Sequence, residues 1–182
     1  MSRAGAPAFD TRIIEPEVFT DSRGFFFESY NQRRFEAQVA CPVEFVQDNH
    51  SRSTRGVLRG LHYQLPPHAQ GKLLRVVSGE IYDVTVDLRR SSRTFGQWQA
   101  VVLSAENRRQ LWVPPGYAHG FLVLSESADV LYKTTDYWFK DLDRSIRWDD
   151  PVLGIAWPAG ITPILSQKDT DACTFLAADL FD

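Results

Sequence analysis

The sequence predicts an all-β chain: a jelly-roll barrel with a few short peripheral helices, folded as one domain over residues 1–182. Three observations lead there. Short runs rich in Val, Ile, Phe, Tyr, Trp and Thr recur along the chain, separated by Gly, Pro, Asn, Asp and Ser, with a spacing that suits a sandwich or barrel rather than βα units. One run, IYDVTVDL (81–88), alternates strictly with the period of a strand. Only 31–39 (NQRRFEAQV) has the amphipathic pattern of a helix, and it is short.

Eight strands follow from these runs: 43–49, 57–64, 72–78, 80–88, 97–103, 110–114, 119–124 and 129–138. Each has strand length, and two turn signals separate neighbours: Ser78-Gly79-Glu80 and Pro114-Pro115-Gly116. In 81–88, Tyr82, Val84, Val86 and Leu88 share one face, while Asp83, Thr85 and Asp87 share the other. A barrel can use both faces, one packed outward against a second layer and one lining a cavity, so a jelly roll fits the pattern. No repeat, linker or low-complexity tract divides the chain.

Composition narrows the function. Hydrophobic residues make up 43% and charged residues 24%, as in a soluble globular protein. The net charge of −3 is interspersed, with no basic stripe, which argues against nucleic acid as partner. One or two phosphates of a nucleotide need only a few local cations. Cys41 and Cys173 match no metal or redox spacing, and two free thiols suit a reducing compartment. The opening MSRAGAPAFDTR has no apolar core of signal-peptide length, and no apolar run is long enough to span a membrane. A cytoplasmic protein is expected.

Four histidines are available: His50, His62, His68 and His119. His62 lies in RGLHYQ, inside a strand; alone it reads as a satisfied core histidine. Arg59, Lys72 and Arg75 are near in sequence, and such cations beside a histidine suit an anionic ligand presented to a base. Strict alternation puts Arg59 and His62 on opposite faces, unless Gly60 hosts a bulge that turns both inward. Tyr132 shares a face with Val130 and Thr134; it reads either as packing or as a phenolic acid in a cavity. Asp169 reads as a loop or cap residue, or as the carboxylate that orients His62.

PPGYAHGFLVLSE resembles the second motif of the cupin superfamily, a Pro-x-Gly turn leading to a histidine on a strand. The first cupin motif is missing: HAQGKLLRVVSGEIYDV has no His-x-His and no suitably spaced glutamate, so a metal-free cup is expected.

From about Ile13 to Asp169 the chain resembles the dTDP-4-dehydrorhamnose 3,5-epimerases. The resemblance rests on DSRGFFFESYN, FVQDNHSRS, GVLRGLHYQ, QGKLLRVVSGEIYDVTVDLR, LWVPPGYAHGF, LYKTTDYW and LSQKD taken together. It implies a cupin-type jelly-roll homodimer with exchanged N-terminal strands and no cofactor or metal. It also implies a dTDP-sugar substrate, epimerised at C3 and C5 beside a C4 carbonyl. The family pattern assigns the base to His62, the acid to Tyr132, the paired carboxylate to Asp169 and enolate stabilisation to Lys72. Substrate-binding positions fall on Arg23, Phe26, Glu28, Gln47, Asn49, Arg59, His119, Trp138, Asp143 and Lys168, with Arg23 and Arg59 toward the pyrophosphate. Two departures stand out: Trp138 replaces a thymine-stacking tyrosine, and Asp143 replaces a glutamate. The residues leave three alternatives open: a relative inverting one carbon only, a non-catalytic nucleotide-sugar-binding cupin, and a metal-dependent cupin.

Overall fold

A computed structural model of the chain describes residues 9–182. Three short strands come first, β1 (Arg12–Ile14), β2 (Phe19–Asp21) and β3 (Gly24–Phe26), followed by helix α1 (Gln32–Val39). The body consists of β4 (Gln47–Thr54), β5 (Leu58–Gln64), β6 (Lys72–Ser78), β7 (Glu80–Asp87), β8 (Trp98–Ser104), β9 (Gln110–Val113), β10 (Tyr117–Val123) and β11 (Ser127–Thr134). The short strand β12 (Asp143–Ser145) and a single-turn helix, α2 (Gln167–Thr170), lie in the C-terminal segment.

Two five-stranded antiparallel sheets result, ordered β1-β9-β6-β11-β4 and β12-β5-β10-β7-β8, with β2 and β3 paired only to each other. From β4 onward the chain crosses between the sheets at every connection except the β7–β8 hairpin. That alternation is the jelly-roll pattern the sequence predicted.

Between the sheets, Leu74, Val76, Ile81, Leu103, Leu111, Val113, Phe121, Val123 and Val130 form an apolar plug. Each such side chain contributes about 1.5–3 kcal/mol on burial, so this end of the sandwich is closed and the polar inner face gathers at the other. The alternation of β7 works as expected. Val84, Val86 and Leu88 pack outward against Leu153 and Phe175 of the C-terminal segment. Asp83 and Thr85, on the opposite face, are also fully buried.

Helix α1 starts where Asn31 caps it, its side-chain oxygen accepting from the Arg34 amide at 3.3 Å, and ends at Ala40 in the left-handed region. It lays Phe35 on Val43, Leu73 and Trp112, covering part of the first sheet's outer face.

Three differences from the expected strands have physical causes. The strand expected at 43–49 is β4, shifted to Gln47–Thr54; Val43 and Phe45 instead pack beside α1. DNHSRST reads as loop because its inner face is polar and its outer face wet, yet eight backbone pairs with β11 hold it as a strand. The strand expected at 129–138 spans Ser127–Thr134, because the chain turns at 135. β1, β2, β3 and β12 have three residues each, too few to display a period. Finally, Arg75 does not join the inner cations; its guanidinium lies on the outer side, 5.9 Å from the Phe27 ring centre.

The bulge at Gly60 is present. His62 pairs with His119 and Arg59 with Phe121, so three steps on β5 span two on β10. Gly60 has φ +132°, and a Cβ there would fall 2.5 Å from the Gly120 Cα and 2.9 Å from the His119 carbonyl oxygen. Only glycine fits this close approach. Among the described residues, no helix is long and apolar enough to cross a membrane.

Candidate active site

The polar end of the sandwich opens as a cup with two lobes. The inner lobe, about 130 Å³, is lined by Arg59, His62, Lys72, His119 and Tyr132 together with Ser51, Leu74, Phe121 and Val130. The outer lobe, about 400 Å³, shares His62, Lys72 and Tyr132 and adds Gln47, Asn49, Trp138, Asp143 and Lys168. Arg59 and His62 thus face one cavity, which is the work of the Gly60 bulge.

His62 is held by Asp169. Its Nε2 lies 2.5 Å from Asp169 Oδ1, while Asp169 Oδ2 accepts from the Ser166 hydroxyl at 2.6 Å and Oδ1 also receives the Gly60 amide at 3.3 Å. Ser166 caps α2, and that single turn exists locally because the Ser166 hydroxyl accepts from the Asp169 amide. Asp169, expected either as a loop or cap residue or as the partner of His62, lies in the single turn that Ser166 caps, with its carboxylate against the His62 ring.

Burial holds His62 below the ordinary imidazole range; the Asp169 bond opposes this, and Lys168 and Lys72 add to it. Burial works to raise Asp169, yet its bonds to His62, Ser166 and Gly60 together bring it below the usual carboxylate value. The pair at neutral pH is therefore a neutral imidazole donating Nε2–H to a carboxylate, which leaves the Nδ1 lone pair as a base.

Tyr132 stands on β11, in the sheet opposite His62, between Asn49 of β4 and Leu74 of β6. Burial raises its phenol above the usual value, so it remains a proton donor at neutral pH. Lys72 starts β6, half-buried in the wall of both lobes; burial lowers its ammonium to about 8, with Lys168 adding to the drop and Asp143 and Asp83 pulling it back up. It keeps its charge at neutral pH, beside His62 and Tyr132 in the wall of both lobes.

A second His–Asp pair completes the inner lobe. His119 Nε2 lies 2.8 Å from Asp83 Oδ2. Asp83 has no exposed surface, and burial raises its carboxyl while His119 and Lys72 oppose the rise. Its Oδ1 has no partner among the described residues. Sequence reading placed Asp83 on the correct face of β7 but missed it as a site residue. The available signal was an acidic residue at the centre of an alternating strand. Among the described residues, no three His, Cys, Asp or Glu side chains converge as a metal would require.

At the rim, Asp143 Oδ2 receives both the Trp138 indole N–H at 3.1 Å and the Lys168 ammonium at 2.5 Å. The shorter carboxylate at 143 thus still reaches the cup. Gln47 donates to Asn49 at 2.9 Å, and the buried Asn49 Nδ2 has no partner among the described residues. Arg59 is braced by Ser53 at 3.0 Å.

Three expected binding residues lie elsewhere in this single chain. Arg23, Phe26 and Glu28 border neither lobe. Arg23 pairs with Asp21 on the β2–β3 hairpin with its side chain 88% exposed, and Glu28 pairs with Arg34 of α1. Phe26 is 67% exposed. Among the described residues the hairpin pairs with neither large sheet.

The family model for dTDP-4-dehydrorhamnose 3,5-epimerase matches residues 7–177. The chain belongs to the dTDP-4-dehydrorhamnose 3,5-epimerase family. A member from Pseudomonas aeruginosa is 61% identical over 172 residues, covering 94% of each chain. The crystal structure of the 3,5-epimerase from Legionella pneumophila, in complex with dTDP-4-keto-L-rhamnose, superposes with a TM-score of 0.90 at 51% identity, covering 93% of this chain and 90% of that one. A 3'-monoepimerase from Streptomyces bikiniensis, in complex with dTDP-quinovose, has the same fold at 35% identity and a TM-score of 0.87, covering 93% of this chain and 85% of that one.

Proposed function

We propose that this epimerase-family protein converts dTDP-4-dehydro-6-deoxy-D-glucose into dTDP-4-dehydro-L-rhamnose, with His62 as base and Tyr132 as acid. One observation carries the assignment: His62 and Tyr132 stand on opposite sheets and line the same cup, with Lys72 bordering both lobes. Inversion requires a proton removed from one face of a carbon and another delivered to the opposite face.

In the proposed reaction the C4 carbonyl acidifies the C–H bonds at C3 and C5. Neutral His62 takes one of these protons, and Asp169 stabilises the imidazolium that forms. The electrons move onto the C4 oxygen, giving an enolate whose charge Lys72 neutralises. Tyr132 then protonates the carbon from the far wall. Every step uses side chains of this chain, and the proton balance closes when Tyr132 and His62 return to their starting states through solvent.

The nucleotide would occupy the rim. Arg59 and His119 are available to the pyrophosphate, the unpaired Asn49 amide and Gln47 to polar groups, and Trp138 to the face of the thymine. Arg23, Phe26 and Glu28 would complete this site from a second copy, in a homodimer with exchanged N-terminal strands. The support is the hairpin itself: it pairs with no strand of the large sheets, and Phe19, Phe25 and Phe26 are 55%, 58% and 67% exposed. Two free cysteines suit a cytoplasmic setting.

The test is proton NMR in deuterium oxide of the proposed substrate with this protein. Deuterium entering C3 and C5, with L-rhamnose formed on adding a reductase and NADPH, supports the assignment, and His62→Ala removes exchange at both carbons. Exchange at one carbon replaces it with a monofunctional epimerase; no exchange reduces the protein to a binding cup.

A further inference from the structure

The outer lobe has a feature that the proposed chemistry does not use. Beyond β11 the chain bends over the cup and presents Trp138, whose side chain is largely exposed and whose indole N–H alone ties it to Asp143. The backbone on either side of Trp138 is fixed by one buried amide. Gln64, the last residue of β5 and 4% exposed, accepts from the Phe139 N–H at 2.8 Å. Its Nε2 donates to the Tyr137 carbonyl at 2.9 Å and to the His68 carbonyl at 2.5 Å.

His68 closes the bracket from the other side. Its ring stacks on Phe139, with centres 3.8 Å apart and planes 18° off parallel. Its Nδ1 lies 2.9 Å from Asp136 Oδ2, and Gln70 donates to the Asp136 carbonyl at 2.8 Å. The segment after β5 and the segment after β11 are thereby zipped together around Trp138.

We propose that Gln64 and His68 are positioning residues for nucleotide recognition, holding Trp138 as a preformed face for the base of the dTDP-sugar. The inference rests on the function proposed above, in which Trp138 stacks on thymine. An aromatic platform already fixed in its bound position loses less freedom when the base arrives, so affinity depends on the bracket while proton transfer, centred on His62, does not. Each immobilised side chain is worth roughly a two- to tenfold change in affinity. Loss of the stack itself is worth roughly five- to a hundredfold.

Calorimetric titration with thymidine diphosphate, together with kcat and KM for the sugar nucleotide, tests the proposal on His68→Ala, Gln64→Met and Trp138→Ala and on their combinations. His68→Ala is expected to weaken thymidine diphosphate about threefold and raise KM in parallel, with kcat within about twofold of the parent. His68→Tyr, which keeps a ring on Phe139, restores most of that loss. Gln64→Met weakens binding about tenfold. In the Trp138→Ala background both effects shrink toward nothing, because the platform they hold is gone.

A fall in kcat with unchanged nucleotide affinity would overturn the proposal, as would effects that add in full to Trp138→Ala. His68 is half-buried and outside the core, so its variants read the question even where Gln64→Met disturbs folding. Parent protein that binds thymidine diphosphate as tightly as both variants defeats this inference alone. Parent protein that binds none defeats the underlying function as well.

Discussion

Replacing Asp169 by Asn tests the base assignment most directly. The carboxylate is 3% exposed and accepts three hydrogen bonds, from His62, Ser166 and Gly60. Asparagine has the same shape, and its oxygen can keep the His62 and Gly60 bonds while its amide faces the Ser166 oxygen, so the fold survives. What disappears is the negative charge that steadies the imidazolium. A hydrogen bond to a charged partner is worth about 1.5–3 kcal/mol, which is a factor of roughly ten to a hundred and fifty in kcat. The direction of the pH profile follows from the same bond. Asp169 opposes the lowering of His62, so its loss drops the imidazole further and moves the acid limb to lower pH. Measuring deuterium uptake at C3 and C5 beside kcat from pH 5 to 9 checks both effects. Exchange and turnover at the parental rate, with an unmoved acid limb, would refute the dyad.

Three more outcomes are expected. Tyr132→Phe should retain part of the exchange with solvent while losing most of the inversion, since the base remains and the acid on the opposite wall is gone; product NMR separates the two, and full inversion removes Tyr132 as acid. For Lys72, lowered to about 8 by burial, activity should fall as pH rises through about 8 and the ammonium loses its proton. In Lys72→Arg, which keeps its charge, that alkaline limb should move upward, and an identical limb in both proteins would assign it to another group. Gly60→Ala should cost about 2–4 kcal/mol, because its Cβ would meet the Gly120 Cα at 2.5 Å and the backbone there has positive φ; urea unfolding measures it, and a change under 1 kcal/mol would contradict the bulge geometry.

The parts of the fold legible in the sequence are those where burial follows a period. β7 was readable because its alternation is strict and both faces are buried, Val84 and Val86 against the C-terminal segment and Asp83 and Thr85 on the inner side. β4 was not, because Gln47, Asn49 and Ser51 line the cup and Ser53 braces Arg59, so the usual apolar signal of an inner strand face is missing. The Gly60 bulge was legible only as a possibility attached to a glycine; its register became visible when β10 supplied a partner to count against. Asp83 and Gln64 were missed for a related reason. Both are buried polar residues whose partners, His119 and the 137–139 backbone, are distant in sequence, and no local pattern encodes a partner that far away.

The two-walled cup also accounts for how one base and one acid could serve two carbons. In a D-gluco ring in its chair form, the C3–H and C5–H bonds are both axial and point to the same face, flanking the C4 carbonyl. A single base on that face reaches either proton after a small shift of the ring, and both enolates place their charge on the same C4 oxygen. Lys72 can therefore stabilise both intermediates without moving. A single acid on the opposite sheet then supplies both new protons. Were the base and acid on neighbouring strands of one sheet, both would approach the same face and exchange would proceed without inversion. The separation of His62 on β5 from Tyr132 on β11 is thus the stereochemical requirement of the proposed reaction, met by the order in which a jelly roll assigns its strands to two sheets.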